Sequence, residues 1–477
     1  MRRVVIIGAG ISGLALAFRL KQRVPHVHLT LLESDSRPGG KIWTERIDGF
    51  LVEHGPNGFL ETKPSTKELA ADLGLTNDLV SASEASRRNR YLFLNGRLHR
   101  LPNGPIGLLF SRCLSWRGKL GIFRELTRPG RPPNHDESVA DFFRRRMGQE
   151  AADILGDALV TGIHGGDPEK LSLASAFPRA AEMEARYGSV IRGFLRSAAE
   201  RRRQARAEGR EPTKTGRLWS FRGGLRQLID GLVQALPEAL TCGVRVRFIR
   251  ALENGWLVHG EGQQRWSADA VVLGCPADQA AEVVADLDAA LAEDLAGIAY
   301  NRIAVVALGY RRSQVPQPPD GFGYIAPQRT RRDVLGVQWC SSIYPNRAPE
   351  GFVLWRALCG GWNRGDVVDW DDERLLRAVH EEIRLAMRVH DDPVFHRIIR
   401  WPRAIPQYHV GHGERLNRIA SRLRQHRGLY LTGNAYRGVA LNDCTEQAIL
   451  LAEQIARDLQ TFPSNPHHSE DSPCTVS

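Results

Sequence analysis

No run of about 18 consecutive apolar residues occurs anywhere in these 477 residues, so no segment is expected to cross a bilayer as a helix. Cysteine is scarce and scattered. The seven, Cys113, Cys242, Cys275, Cys340, Cys359, Cys444 and Cys474, stand singly, in odd number and without a CxxC pair, which excludes a disulfide framework or a zinc ribbon and favours reduced thiols. The histidines, among them His164, His409 and His412, follow no metal-ligand spacing such as HExxH, so they read as structural or surface groups and no metal is expected. No helix-turn-helix, zinc-finger or RNP signature accompanies the formal charge of +11, and nucleic acid is therefore not an expected partner. The charge, carried largely by arginine, suits an anionic membrane face or a substrate bearing carboxylates. The apolar start Val4 to Ile7 is too short and too quickly followed by glycines to be a secretory signal, so a cytoplasmic location is expected. The length excludes a single small module and allows two or three domains.

What is present is concentrated at the start. Val4-Val5-Ile6-Ile7 runs into Gly8-Ala9-Gly10-Ile11-Ser12-Gly13 and then into a helical pattern from Leu14 to Leu20. In a strand, turn and helix of this kind the first glycine lets the backbone turn, the second lets a pyrophosphate approach, and the third lets helix pack on strand. The helix N-terminus then offers free N–H groups and a favourable dipole to the diphosphate. A second apolar run, His28 to Leu32, ends in Glu33, whose carboxylate can accept from a ribose diol, with Ser34 beside it. The following Arg37-Pro38-Gly39-Gly40-Lys41 adds a second glycine doublet directly after the ribose carboxylate, which nicotinamide-binding units do not usually need, and points to FAD.

Further along, Phe50 to Glu53 reads as a strand running into the turn Gly55-Pro56-Asn57-Gly58. Lys67 to Leu73 reads as a helix stopped by Gly74, and Tyr91 to Leu94, Asn95-Gly96 and Arg97-Leu98 as a hairpin with a type I′ turn. From Pro105 to about Gly209 the pattern is helical and basic, with Arg144-Arg145-Arg146 and Arg201-Arg202-Arg203 prominent. Within it Ile106 to Phe110, Trp116 and Ile122-Phe123 lie beside Arg112, Arg117 and Lys119, as in an interfacial membrane segment. The stretch Arg201 to Thr215 reads as a helix end followed by a loop, and Trp219 to Leu225 as the start of another helix. Trp256 to Val258 is expected to pair with Ala270 to Leu273 as the chain rejoins the nucleotide domain, ending at Cys275-Pro276-Ala277. Leu429 to Leu431 leads into a glycine-rich turn and a helix from Glu446 to Leu459, which would aim N–H groups and a dipole at the flavin end that becomes negative on reduction.

These readings give an α/β fold, α+β overall: a Rossmann-type FAD-binding domain with an inserted mixed-sheet substrate domain and a mainly helical, membrane-facing insertion. The expected boundaries are 1–62, 216–278 and 402–460 for the FAD domain, 63–104 and 279–401 for the substrate domain, 105–215 for the basic insertion, and 461–477 for a disordered tail.

The Arg37 to Lys41 segment resembles the R-x-G-G-R element of the flavoproteins that include amine oxidases, phytoene desaturases and protoporphyrinogen oxidases, with Lys41 standing where that element usually has Arg. A cation is kept there but planar bidentate bonding is lost. From Met1 to about Leu459 the chain resembles the oxygen-dependent porphyrinogen oxidases of this group. The resemblance is carried in order by Gly55-Pro56-Asn57-Gly58, Asn89-Arg90-Tyr91, Thr161 to Asp167, Gly321-Phe322-Gly323, Ile405 to Tyr408 and Gly438 to Cys444.

The resemblance implies FAD, molecular oxygen as acceptor, and oxidation of protoporphyrinogen IX to protoporphyrin IX in haem synthesis by three two-electron hydride transfers to flavin N5. The cofactor carries the chemistry, so no acid/base residue is assigned. Arg90 then matches an arginine that holds a substrate propionate, Phe322 and Ile325 match side chains that sandwich the macrocycle, and Gly162 matches a glycine near the reacting carbon. Val246, Trp401 and Val439 match positions that contact FAD. The basic, apolar insertion suits peripheral contact with the inner face of the cell membrane; hand-over of product to a ferrochelatase and a homodimer are allowed by the sequence, which leaves the oligomeric state open. Coproporphyrinogen III oxidation is the nearest alternative, amine oxidation the second, and a non-catalytic FAD-binding or membrane-adaptor protein the third.

Overall fold

The computed structural model describes the chain except residues 103–106, 109, 131–135, 208, 210–215, 317–318, 331 and 463–477, and leaves out the side chains of Arg201 and Ala205. Ile106 and Leu109 of the expected membrane segment, most of the loop after Ala207, and the tail from residue 463 therefore lie outside the described residues.

Five parallel strands form a nucleotide sheet in the order Leu240–Cys242, His28–Glu33, Arg3–Ile7, Ala270–Leu273 and Leu429–Leu431. The inner strands are near-continuous apolar runs because helices cover both faces. Leu14 and Leu16 of the helix Ile11–Arg23, Leu228 of Arg226–Gln234 and Ala448 of Leu441–Thr461 fill one face. Ala277, Val284 and Leu291, together with Ile249 and Val258 from an antiparallel three-stranded sheet, fill the other. Leu69 and Ala70 of Ser65–Asp72 join the first of these cores and the helices Ala277–Val284 and Ala289–Ala296 the second. Packing thus draws the nucleotide layer wider than the sequence boundaries at residues 62 and 278, and the last helix runs on to Thr461.

Two local expectations are corrected. Trp219 does not begin a helix: Leu218–Phe221 is a strand between Phe59–Leu60 and Leu79–Ser81, and the helix starts at Arg226 after a turn in which Gly224 has φ +91°. Trp256 to Val258 pairs with Arg265–Ala268, not with Ala270–Leu273. A tight connection through Gly262, at φ +68°, gives the first strand a local partner, whereas the wholly buried Ala270–Leu273 fits only inside the parallel sheet.

Seven strands make a second, wider sheet, ordered Phe395–Trp401, Arg302–Arg311, Phe352–Gly361, Val334–Gln338, Gly323–Ile325, Arg90–Leu94 and Arg97–Arg100. Its last hairpin turns through Asn95 at φ +51° and Gly96 at φ +74°, the left-handed pair a type I′ turn requires. Leu375, Val379 and Ile383 of the helix Asp372–Met387 seal one face against Tyr324, Val337, Trp355 and Ala357. Residues of the alternate register, including Leu92, Ile325 and Leu354, look the other way, toward the helical insertion and the strand Phe50–Glu53.

The insertion is helical, and its helix Val190–Ala207 runs through Arg202 and Arg203 and ends within the stretch from Arg201 where the sequence suggested a helix end. Its most basic triplet is not a solvated face. Arg145 pairs with Glu137 and Glu184, and Arg146 is fully buried with Glu125, donating from Nη2 at 2.5 Å to the carboxylate and at 2.9 Å to the Gly188 carbonyl. Glu125 also accepts from the Ser189 hydroxyl at 2.6 Å and the Val190 amide at 2.9 Å. Removing one partner of such a pair strands a charge in the core at a cost of about 3–5 kcal/mol. Glu125→Ala should therefore lower the midpoint of chemical denaturation sharply, while Arg377→Gln, at a fully solvated helix pair, should leave it unchanged.

Candidate active site

The glycine turn after Arg3–Ile7 lies against the second glycine doublet. The Gly39 amide donates to the Ala9 carbonyl at 2.8 Å, and Gly10 and Gly39 form a parallel bridge. A Cβ on Gly13 would sit 2.1 Å from the Gly8 carbonyl oxygen, whereas one on Gly10 would meet nothing within 4 Å. The turn is thus closed where helix meets strand and bare where an anion would approach, beside Ile11 and Ser12 at the helix N-terminus. Glu33 Oε2 accepts from the Ala9 amide at 2.8 Å, and Oε1 from the Asp35 amide at 3.0 Å and the Ser34 hydroxyl at 3.3 Å. A carboxylate has about four acceptor sites, so one remains for a hydroxyl. Val246 lies just beyond, its strand tied to this end by the Val244 amide on the Glu33 carbonyl at 2.8 Å.

At the other end Lys41 is partly buried with its ammonium 5.2 Å from the centroid of Tyr300. Burial, partly offset by Asp278, pulls its pKa down to about 8. Gly55 packs so closely on Lys41 that a Cβ would come within 2.0 Å of the Lys41 carbonyl oxygen. The turn from Gly55 through Pro56 and Asn57 to Gly58 is fixed from two sides: Trp401 Nε1 donates to the His54 carbonyl at 2.9 Å, and Arg356 Nη2 to the Gly55 carbonyl at 2.7 Å. Both polar atoms of the buried Asn57 side chain, and the Thr432 hydroxyl, have no partner among the described residues. Val439 precedes the helix Leu441–Thr461, in which burial pushes the Cys444 thiol up to about 11. That thiol is therefore neutral at physiological pH. The structure brings the Gly8 to Gly13 turn against Gly39 and Gly40, Glu33 against Ala9, Gly55 against Lys41 and Trp401 against His54, while no contact places Val439 with them among the described residues. Unpartnered Asn57 and the bare Gly10 fit a dinucleotide lying there.

The wide sheet supplies a second surface. Arg90 is in register with Gly323, Gly323 with Gln338, and Gln338 with Arg356. Cross-strand partners share a face, and three strand spacings span about 14 Å, so this row leads from Arg90 to the carbonyl of Gly55. Two residues along, Ile325 meets Gly162 of the helix Asp157–His164, where a Cβ would lie 2.6 Å from Ile325 Cδ1. Leu159, Gly162 and Ile163 form one exposed face of that helix. Arg90 has its guanidinium 5.1 Å from the Phe322 ring, at a small, shallow cleft lined by Glu84, Ser86, Arg87, Arg90, Arg217, Leu218 and Phe322. His164 is buried edge-on against Phe177, and burial lowers its pKa to about 4, so it is a neutral packing group.

Arg356 and Gln338 escaped the sequence reading. An arginine inside the otherwise apolar Phe352–Gly361 is a visible anomaly, but its partner, a carbonyl 301 residues away, is not.

A model of the family described as "Flavin containing amine oxidoreductase" matches residues 11–456. The chain belongs to that family. It is 30% identical to the coproporphyrinogen III oxidase of Bacillus subtilis (strain 168), over 94% of this chain and 96% of that one. It is 32% identical to the chloroplastic protoporphyrinogen oxidase of Nicotiana tabacum, over 96% of this chain and 86% of that one. A solved structure, "Putative protoporphyrinogen oxidase from Exiguobacterium sp. 255-15", superposes with TM-score 0.82 at 26% identity, covering 96% of this chain and 99% of that one. The chain is accordingly an FAD-dependent oxidoreductase with the mixed α/β architecture of its family.

The lowered Lys41 pKa has a measurable consequence. The Lys41 ammonium is lost as pH rises through about 8, so an FAD diphosphate held by it should bind with an affinity level below that pH and falling above it, by up to about tenfold per unit. Lys41→Arg should abolish the dependence between pH 7 and 9.5 in a fluorescence titration of the apoprotein, and a flat wild-type profile would show that Lys41 does not pair with the diphosphate.

Proposed function

We propose that this FAD enzyme oxidises a porphyrinogen, with protoporphyrinogen IX as its substrate and oxygen as the acceptor that restores the flavin. The observation that carries this is the row from Arg90 through Gly323 and Gln338 to Arg356, four cross-strand partners that join a cleft bearing Arg90 to the Gly55 turn. Support also comes from relatives named for both porphyrinogens.

When bound, FAD supplies the two-electron acceptor that takes a hydride at N5, three times per macrocycle. This chain's own residues orient and shelter the ring. Arg90, stacked on Phe322 and without a carboxylate partner among the described residues, offers free N–H donors to a propionate. Ile325 and the apolar face Leu159, Gly162 and Ile163 receive the uncharged side of the ring, and Gly162 leaves room where any side chain would strike Ile325. Protoporphyrinogen, with both propionates at one edge and vinyl and methyl groups at the other, matches a site cationic at one end and apolar at the other. Coproporphyrinogen III would place two further carboxylates around the ring.

The test is fluorescence-detected oxidation of both porphyrinogens by the FAD-loaded protein in air. Faster turnover of protoporphyrinogen IX is expected. Faster turnover of coproporphyrinogen III would reassign the substrate, and turnover of neither would overturn the porphyrinogen reading. Arg90→Ala should raise KM by about tenfold or more, the worth of a charge-assisted hydrogen bond, and Gly162→Leu should depress kcat with little change in FAD binding.

We further propose peripheral membrane contact through the helix Trp116–Arg124, correcting the residues that carry it. Ile122 and Lys119 are buried, because they lie on the face packed against the insertion's core. Trp116, Leu120 and Phe123 are 71%, 51% and 41% exposed on the opposite face. No helix among the described residues is long and apolar enough to cross a membrane. Co-sedimentation with anionic vesicles should fall on combined Trp116→Ser and Phe123→Ser substitution, and its absence in the wild type would remove this proposal.

A further inference from the structure

The cleft at Arg90 holds a second guanidinium with no assigned role. Of the three arginines lining it, Arg87 is consumed by Glu84, whose Oε2 lies 2.6 Å from its Nη2. Arg217 is different. No carboxylate lies within 4 Å of its guanidinium among the described residues, although Glu61 is near enough to feel its charge. Glu61 is already engaged, its Oε1 accepting from Lys67 Nζ at 2.7 Å and its Oε2 from Trp219 Nε1 at 3.0 Å.

What holds Arg217 is an aromatic ring, as for Arg90. Its guanidinium carbon lies 5.6 Å from the centroid of Trp219, and that of Arg90 lies 5.1 Å from Phe322. A cation held over a ring face is oriented without spending its N–H donors. The backbone beneath is fixed as well, since the Arg217 carbonyl accepts from the Glu61 amide at 2.8 Å at the edge of the strand pair Phe59–Leu60 and Leu218–Phe221. Counting Glu84 against Arg87, the cleft keeps the guanidinium groups of Arg90 and Arg217 among its lining residues together with apolar Leu218 and Phe322.

We infer that Arg217 is a second carboxylate-binding residue, which together with Arg90 grips two neighbouring carboxylates of the substrate and selects for a ring that carries them on one edge. This rests on the porphyrinogen reading and deepens it: two free guanidinium groups in one cleft match a pair of adjacent propionates. The remainder of the macrocycle is left to the apolar face of the helix Asp157–His164. Arg217 acts in binding and orientation, and the hydride-transfer step does not require it.

The experiment compares the FAD-loaded wild type with Arg217→Gln, Arg217→Lys and the control Arg377→Gln, each assayed on protoporphyrinogen IX and on its dimethyl ester. Arg217→Gln should raise KM for the diacid about tenfold with kcat within twofold of wild type. It should leave the KM for the ester unchanged, and Arg217→Lys should recover most of the loss. Arg377, fully solvated in a pair with Glu373, should affect neither substrate. An unchanged KM for the diacid, or the same rise for diacid and ester, would overturn the inference while wild-type turnover keeps the porphyrinogen reading standing. If the wild type oxidises neither compound, the reading itself falls and the inference falls with it.

Discussion

The structure turns on a buried arginine. Arg356 is 2% exposed, and its bond to the Gly55 carbonyl fastens the wide sheet to the turn that closes the cofactor trough. A charge so placed is expensive unless something answers it. Glu53, also buried, lies near enough for its charge to act on Arg356 though beyond ion-pair distance, and its carboxylate accepts from the Thr44 hydroxyl at 2.7 Å and the Leu225 amide at 2.8 Å. Burial pushes the Glu53 carboxyl up, and Arg347, fully buried in turn, pulls it back. Arg347 spends its own donors on the Ser220 hydroxyl and the Phe221 carbonyl. Two cations and one acid thus hold three layers at one point: the wide sheet, the strand entering the Gly55 turn, and the small sheet through Leu218–Phe221. Strand positions a few residues away inherit their placement from it, including the row that ends at Arg90.

Much of this was legible in the sequence wherever local chemistry decides local shape. The Gly8 to Gly13 turn needs no distant partner to be recognised, and Asn95-Gly96 specifies its own hairpin. The errors fall where a remote partner decides. Leu218–Phe221 has an amphipathic look that suits a helix, but its hydrogen bonds go to segments more than 130 residues earlier. Trp256 to Val258 could have paired with either of two following apolar runs, and only the turn at Gly262 selects the nearer. The arginine triplet at 144–146 shows the same limit. A sequence records three cations, but not that acids from three separate helices or loops, Glu125, Glu137 and Glu184, converge on two of them.

The candidate site divides in the same way. The residues of the dinucleotide trough could be named because each glycine answers a steric demand of the backbone itself. The substrate surface could be reached only by resemblance, since Arg90, Phe322 and Gly162 carry no local signature of binding. What the structure adds is their mutual arrangement: Arg90 and Gly323 in register, Phe322 beneath the guanidinium, and Gly162 against Ile325. Gln338 and Arg356 appear only once that register is known.

A fold shared across a family does not by itself choose a reaction. On the reading proposed above, the choice rests on how charge is distributed along one face of one sheet. At the trough end the positive charge of Arg356 is tied to a carbonyl and set against Glu53. At the cleft end the guanidinium of Arg90 is only stacked, with its donors left open. Between them Gly323 contributes no side chain, and the facing helix contributes Leu159, Gly162 and Ile163. A small cationic amine would meet Arg90 and Arg217 at the cleft, where the lining carboxylate, Glu84, is already paired with Arg87. A broad, apolar ring with acidic groups on one edge meets attraction at that edge and contact elsewhere. Selectivity of this kind costs the fold little, because stacking on Phe322 leaves Arg90 half solvated until a carboxylate arrives to complete its hydrogen bonds.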